Sequence, residues 1–284
     1  MVGRSLFEYA DEVSAAVPAS CRRTGRCREC VVEVRQGGDL LSARTVPEAY
    51  LPGQFRLACQ AIVEAVTADI EFSIIRRRMR ILGVVGDAPS KLDPTVTADD
   101  LAVRYAGQPI DLRRNHVLGL AIDIGTTTVV LQIVDLLTGQ VIAGGALENP
   151  QRFGGSDVMT RISYEKDFPG AMRLAVRRAL NHELRDLYRE HGIDRHEVYE
   201  AIVVANSTMR DLFFGVDIAA MGEWPYRSLS ERAARAGEAP STWLQRRGHE
   251  AGLLMNPRGR VVGAPLIASH VGADTAADLV AVDF

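Results

Sequence analysis

The sequence predicts an α+β chain: a small strand-rich module that bears every cysteine, a short middle region, and a larger module in which strands lead into helices. Three observations carry this reading. Cys21, Cys27, Cys30 and Cys59 are the only cysteines, all near the start of the 284 residues. Two strongly apolar segments, 118–122 and 128–134, flank a Gly-Thr-Thr turn. Residues 171–191 place Met172, Leu174, Ala175, Ala179, Leu184 and Leu187 at helical spacing, and Gly192 follows as a stop.

Composition is that of a globular chain, 47% hydrophobic and 24% charged with a net charge of -3, and its length suits about two domains. An N-terminal unit of about 75 residues has little core of its own and gains from a metal centre. The near-neutral balance argues against a nucleic-acid binder, which needs excess Lys and Arg to neutralise phosphates. Two basic runs, Arg22-Arg23 and Arg76-Arg77-Arg78 with Arg80, read as a solvated face or domain seam, with partner docking as the other reading. No run of 18 apolar residues suggests a membrane span. The start, MVGRSLFEYADEV, has acidic residues where a signal peptide needs its apolar core, so a cytoplasmic location is expected. A reducing compartment disfavours disulfides.

The cysteines are spaced Cys21-x5-Cys27-x2-Cys30, with Cys59 following in GQFRLACQ. Three thiolates from one loop and a fourth from a distant segment can enclose two tetrahedral irons, which predicts a plant-type [2Fe-2S] centre. Thr24 and Gly25 let the loop wrap tightly, so that backbone N–H groups can point at the sulfides. A structural zinc site normally uses two close cysteine pairs, and only one is present. A thioredoxin-like Cys27-x2-Cys30 needs a helix after it, where the strand-like VVEV stands instead. Zinc, a redox dithiol and two disulfides remain the alternatives. The alternating residues 31–37 predict a strand, with a turn at Gly37-Gly38 and an extended stretch over 61–66.

Residues 70–82 read as an extended link or short helix, and Thr97-Ala98-Asp99-Asp100-Leu101 as the start of a helix with Thr97 as its N-cap. At Val117 the texture changes. Asp123-Ile124-Gly125-Thr126-Thr127 joins the two apolar strands, and such a turn can offer N–H groups and hydroxyls to an anion. The Asp123 carboxylate stands where a hydrated Mg2+ would need it. Many hairpins carry Gly and Thr for turn geometry alone, which is the competing reading. A strand at 200–205 runs into Asn206, Ser207 and Thr208, which cap a helix ending at Gly215. The histidines, among them His116, His182, His191, His196 and His270, lack ligand spacing and read as surface residues.

Together, CRRTGRCREC with RLAC, GLAIDIGTTTVVLQIVDLLTGQVI, ALENPQRFGGSDVMTRI, VVANSTMRDLFFGVD and VGAPLIASHVGADTAAD resemble the reductive activators of corrinoid proteins. These belong to the acetate kinase, sugar kinase, Hsp70 and actin superfamily. The resemblance implies a β-grasp ferredoxin-like domain over 1–75, a linker and small middle domain over 76–116, and the first lobe of a ribonuclease H-like ATPase domain over 117–284. It implies that Cys21, Cys27, Cys30 and Cys59 ligate the cluster, that Asp123, Gly125, Thr126 and Thr127 form the first phosphate loop of an ATP–Mg2+ site, and that Asn206, Ser207 and Thr208 line the same site. Gly272-Ala273-Asp274-Thr275 corresponds to the entrance of the second lobe, and the stretch from Asn149 through residues 155–161 to a motif with no individual roles assigned. The implied function is ATP-dependent reduction of Co(II) to Co(I) on a corrinoid iron-sulfur or methyltransferase protein, by a homodimer fed by an electron donor.

Two departures stand out. Arg28 follows Cys27 where the family pattern has glycine, and the chain stops at Phe284 without the second lobe's phosphate and adenosine segments, as a fragment would. The competing functions are a [2Fe-2S] electron-transfer protein with a non-catalytic second domain, which leaves ATP without a role, and a sugar-kinase-like phosphotransferase, which leaves the cysteines idle.

Overall fold

The computed structural model describes residues 2–75, the backbone of Arg78–Met79, and residues 93–281. Helix α1 (Leu6–Glu12) starts at Ser5, whose hydroxyl accepts the Glu8 N–H while the Glu8 carboxylate accepts the Ser5 N–H at 2.7 Å. This reciprocal cap satisfies two donors that the first turn would otherwise leave open. The helix buries Leu6, Phe7 and Ala10 against a three-stranded antiparallel sheet of β1 (Val31–Gln36), β2 (Phe55–Leu57) and β3 (Glu71–Ile74), in the order β2-β1-β3. Alternation in VVEV suggests one wet face, yet Val31, Val32, Glu33 and Val34 are all buried. The central strand is covered on both sides, and Glu33 lies under Arg152 of the larger module. After Cys59 the extended stretch forms isolated bridges at Ile62, with Ser5, and Val63, with Leu41.

Of residues 70–82, Glu71–Ile74 is extended, and Arg76, Arg77 and residues 80–92 lie outside the described residues. The middle region is a meander of β5 (Val96–Ala98), β6 (Ala102–Tyr105) and β7 (Gln108–Leu112), after β4 (Arg78–Met79) has joined the edge of the large sheet. The helix expected from Thr97 is absent; a strand stands there. Asp99 decides it, because its Oδ1 accepts the N–H groups of Leu101 and Ala102 at 2.9 and 2.8 Å and closes a turn. Val96 and Val103 then bury together beside Tyr199.

The large sheet begins with the antiparallel strands β8 (Leu118–Ile124), β9 (Thr128–Asp135) and β10 (Val141–Glu148). The 3-10 turn Pro150–Gly154 and helices α2 (Val158–Asp167) and α3 (Ala171–His191) follow. α3 has the bounds its periodicity predicts and ends on Gly192 in the left-handed conformation. Its buried stripe holds Met172, Val176, Ala179, Leu180, Leu184 and Leu187, with Leu174 and Ala175 at its margin.

Strand β11 (Val198–Ala205) lies parallel to β8 and feeds α4 (Ser207–Phe214). Helix α5 (Leu229–Arg235), strand β12 (Leu244–Arg247), the short α6 (Gly248–Ala251), strand β13 (Arg260–Gly263) and α7 (Ala273–Ala281) complete the lobe. The sheet order is β12-β13-β11-β8-β9-β10-β4. Three antiparallel strands extended by two parallel ones on the side of the first make the ribonuclease H-like arrangement of an actin/Hsp70-type lobe. The registers Asp123↔Val204 and Ile124↔Ala205 set the carboxyl ends of β8 and β11 side by side, where open α/β sheets bind ligands.

Candidate functional site

The four thiols are free; Cys27, Cys30 and Cys59 are buried and Cys21 is partly exposed. The loop between Cys21 and Cys30 turns through left-handed backbone at Arg22, Arg23, Gly25 and Arg28. Arg28, where the family pattern has glycine, keeps the glycine conformation at φ 54°. Its guanidinium lies 4.5 Å over the Tyr50 ring, which holds the long side chain outside the loop instead of crowding it.

Cys30 and Cys59 sulfurs are 3.4 Å apart, and the Gln60 amide donates to Cys59 Sγ at 3.5 Å. The Cys30 thiol, against burial and with help from Gln60 and the Gly25 N–H, brings Cys59 down to about 6. Cys30 is pushed up in turn by its bond to Cys59 and by burial. At Cys21 burial acts upward, but the Cys27 N–H and the Thr24 hydroxyl outweigh it and lower the thiol to about 6. Thiolates are the form that ligates iron; Cys21 and Cys59 are drawn toward it, and four cysteine sulfurs are the donor set that an iron-sulfur group takes. Among the described residues no three His, Cys, Asp or Glu side chains converge on a single ion.

The second constellation forms where β8 and β11 end. Gly125 is required at its position, because a Cβ there would stand 2.8 Å from the Thr128 carbonyl oxygen. Asn206 caps α4 by accepting the Met209 N–H at 3.0 Å, and its amide donates to Thr126 Oγ1 at 3.2 Å. Ser207 Oγ and Thr208 Oγ1 are buried without a hydrogen-bond partner among the described residues. Buried hydroxyls are normally satisfied, so two orphans beside a Gly-Thr-Thr turn fit a ligand oxygen.

Asp123, exposed one residue before the end of β8, has its carboxyl raised by desolvation from the surrounding protein and then by Asp274 and Asp278, both on α7. α7 approaches closely because Gly272 has no side chain; a Cβ there would fall 2.2 Å from the Ala205 carbonyl oxygen. Asp123, Gly125, Thr126, Asn206, Ser207 and Thr208 thus share one end of the sheet. Thr127 is exposed, and its carbonyl accepts the Asn149 N–H at 2.7 Å. The histidines stay outside both groups: His182 pairs with Asp186, His196 with Asp194, and His270 stacks on Tyr226.

A segment whose roles the sequence left unassigned connects the Gly-Thr-Thr turn with the N-terminal module. Asn149 Nδ2 donates to the Gly125 carbonyl and Arg161 Nη2 to the Thr126 carbonyl, each at 2.7 Å. The same segment reaches the N-terminal module through Arg152, which pairs with Glu33, and Tyr164, whose hydroxyl donates to the Tyr50 carbonyl. Phe153 stands edge-on between the Tyr50 and Tyr164 rings, at 5.6 Å from each. Sequence reading missed Arg161, Arg152 and Tyr164 as contacts, and no local spacing marks them.

The RACo middle region model matches residues 118–284, and the 2Fe-2S iron-sulfur cluster binding domain model matches residues 1–64. The corrinoid activation enzyme RamQ of Eubacterium limosum is 24% identical, over 91% of this chain and 49% of its own length. A solved reductive activator for corrinoid, iron-sulfur protein is similar in fold, with a TM-score of 0.57 and 23% identity over 97% of this chain and 54% of that one. The chain therefore spans about half the length of these two relatives. With its cysteines in a region matched by the 2Fe-2S cluster binding domain model and its large lobe matched throughout, the chain belongs to the RACo middle-region family.

Proposed function

We propose that the protein delivers a low-potential electron to a corrinoid protein, reducing Co(II) to Co(I), in a step made possible by ATP. In this reading it works in the cytoplasm as a homodimer, recharged by an electron donor, on a corrinoid iron-sulfur or corrinoid methyltransferase protein. The observation that carries it is the 149–164 segment, in which Asn149 and Arg161 bond the Gly125-Thr126 turn while Arg152 and Tyr164 bond the cysteine-bearing module. A bare electron carrier with an inert second domain has no use for such a joint.

When bound, the [2Fe-2S] group supplies a one-electron couple and Mg-ATP the free energy of phosphoryl transfer. Cys21, Cys27, Cys30 and Cys59 hold the first. For the second, the N–H groups of residues 125–127 and the hydroxyls of Ser207 and Thr208 would supply donors to the phosphates, and Asp123 would hold the hydrated cation. Arg161, buried behind the turn, adds positive potential where anionic oxygens arrive.

The test is optical: protein carrying both lobes of the ATPase-like domain and a charged cluster is mixed with a Co(II) corrinoid protein, with and without Mg-ATP. Co(I) should appear only with nucleotide. Cys59→Ser should abolish it, and Asp123→Ala should spare the cluster spectrum while removing the nucleotide-dependent part. Equal rates with and without Mg-ATP would favour the electron carrier with an inert second domain; phosphate transfer to a small alcohol would favour the phosphotransferase.

A further inference from the structure

The cysteine loop carries Arg22, Arg23, Arg26 and Arg28 in a chain whose net charge is -3. Two of these guanidinium groups are held down. Arg23 bonds Asp11 at 2.6 Å and lies 4.1 Å over the Phe7 ring, and Arg28 covers Tyr50. Arg22 and Arg26 are exposed and, among the described residues, have no hydrogen-bond or ion-pair partner. The nearby carboxylates are engaged elsewhere, Asp11 by Arg23 and Glu29 by the Ser20 hydroxyl at 2.8 Å. Cys21, beside Arg22, is the least covered of the four thiols.

The backbone adds to the pattern. Arg22 sits at φ 54°, a conformation that glycine adopts freely and L side chains rarely do. A cation therefore stands beside the exposed thiol at a position whose backbone favours glycine. A basic rim on an acidic body also gives the molecule a polarity that orients an approaching charged protein before contact.

We propose that Arg22 and Arg26, around the exposed edge at Cys21, form the docking surface for the acidic face of an electron-carrier protein. The inference rests on the reading of the four cysteines as ligands of one redox group, but its test does not require turnover.

The probe is an oxidised, acidic flavodoxin, titrated calorimetrically into the iron-loaded protein, with basic cytochrome c as the opposite-charge control. Flavodoxin should bind and cytochrome c should not. Raising NaCl from about 20 to about 200 mM should weaken the complex at least about tenfold, since exposed charges are screened over that range. The double variant Arg22→Glu/Arg26→Glu should weaken it by about tenfold or more at low salt. Arg246→Glu/Arg247→Glu, on the distant edge strand β12, should leave it within about twofold, because the effect is local. Arg22→Gln/Arg26→Gln gives the same direction with less perturbation if the charge-reversed protein folds poorly. Iron content and the EPR spectrum of each variant report separately on the cluster reading. Equal losses from the rim and the distant variants would overturn the proposal, as would binding that strengthens with salt.

Discussion

The guanidinium of Arg161 donates to the main-chain carbonyl of Thr126 at 2.7 Å while its side chain is 1% exposed. Its other partners are the Gly155 carbonyl, the Gln151 amide oxygen and the Met209 sulfur, and among the described residues no carboxylate pairs with it. Burial accordingly lowers it to about 10, against the opposing charge of Asp157. A buried cation held by neutral acceptors fixes the Gly-Thr-Thr turn to α2.

Truncating Arg161 should be costly, since two carbonyls lose their donor inside the protein. Arg161→Ala is expected to destabilise by about 3 kcal/mol, measured by urea unfolding, and Arg161→Lys by less, as a cation without the planar fork. A loss below about 0.5 kcal/mol would mean that water replaces the guanidinium freely.

The joint between modules gives a second expectation. Phe153 is 3% exposed and packs between Tyr50 and Tyr164, so Phe153→Ala should cost about 3 kcal/mol or more and loosen both modules together. Tyr164→Phe removes only the hydroxyl bonded to the Tyr50 carbonyl and should cost about 1 kcal/mol. Hydrogen exchange at residues 45–60 should rise in the first variant and barely in the second. No change in exchange there would show that the modules are stable separately.

These contacts also mark the limit of what the sequence discloses. The 171–191 helix, the two apolar strands and the Asn206 cap are legible because each is a local pattern, written within a few turns or a few alternations. The Arg152–Glu33 pair joins residues 119 apart, and nothing near either residue announces it. The reading of Thr97 as an N-cap failed for the converse reason. The same residue types suit a turn, and burial of Val96 with Val103 beside Tyr199 selects the hairpin. The spacing marked the four cysteines as candidate ligands, whereas the stacking of Arg28 on Tyr50 emerged only with the fold.

Glu48 supplies the pH dependence. Burial pushes its carboxyl up, but the Arg56 guanidinium at 2.8 Å and the N–H groups of Thr45 and Leu57 outweigh that and hold it below the usual value of 4.5. A lowered folded-state value means that its stabilisation is complete above the unfolded value and is lost as pH falls through the folded one. Stability of the apoprotein, followed by circular dichroism in urea, should therefore decline below pH 4.5. Glu48→Gln should flatten that decline and cost about 3 kcal/mol at neutral pH by leaving Arg56 buried without its partner. An acid limb as steep in the variant as in the parent would assign it to other carboxylates.

The account stands most directly on the claim that Cys21, Cys27, Cys30 and Cys59 hold one two-iron group. Anaerobic reconstitution with iron and sulfide, followed by metal and labile-sulfide analysis and EPR of the reduced protein, measures it. About two irons and two sulfides per chain are expected, with the signal of one reduced [2Fe-2S] centre, and Cys59→Ser should diminish all three. Stoichiometric zinc without labile sulfide, or a Cys59→Ser protein with an unchanged cluster, would contradict it.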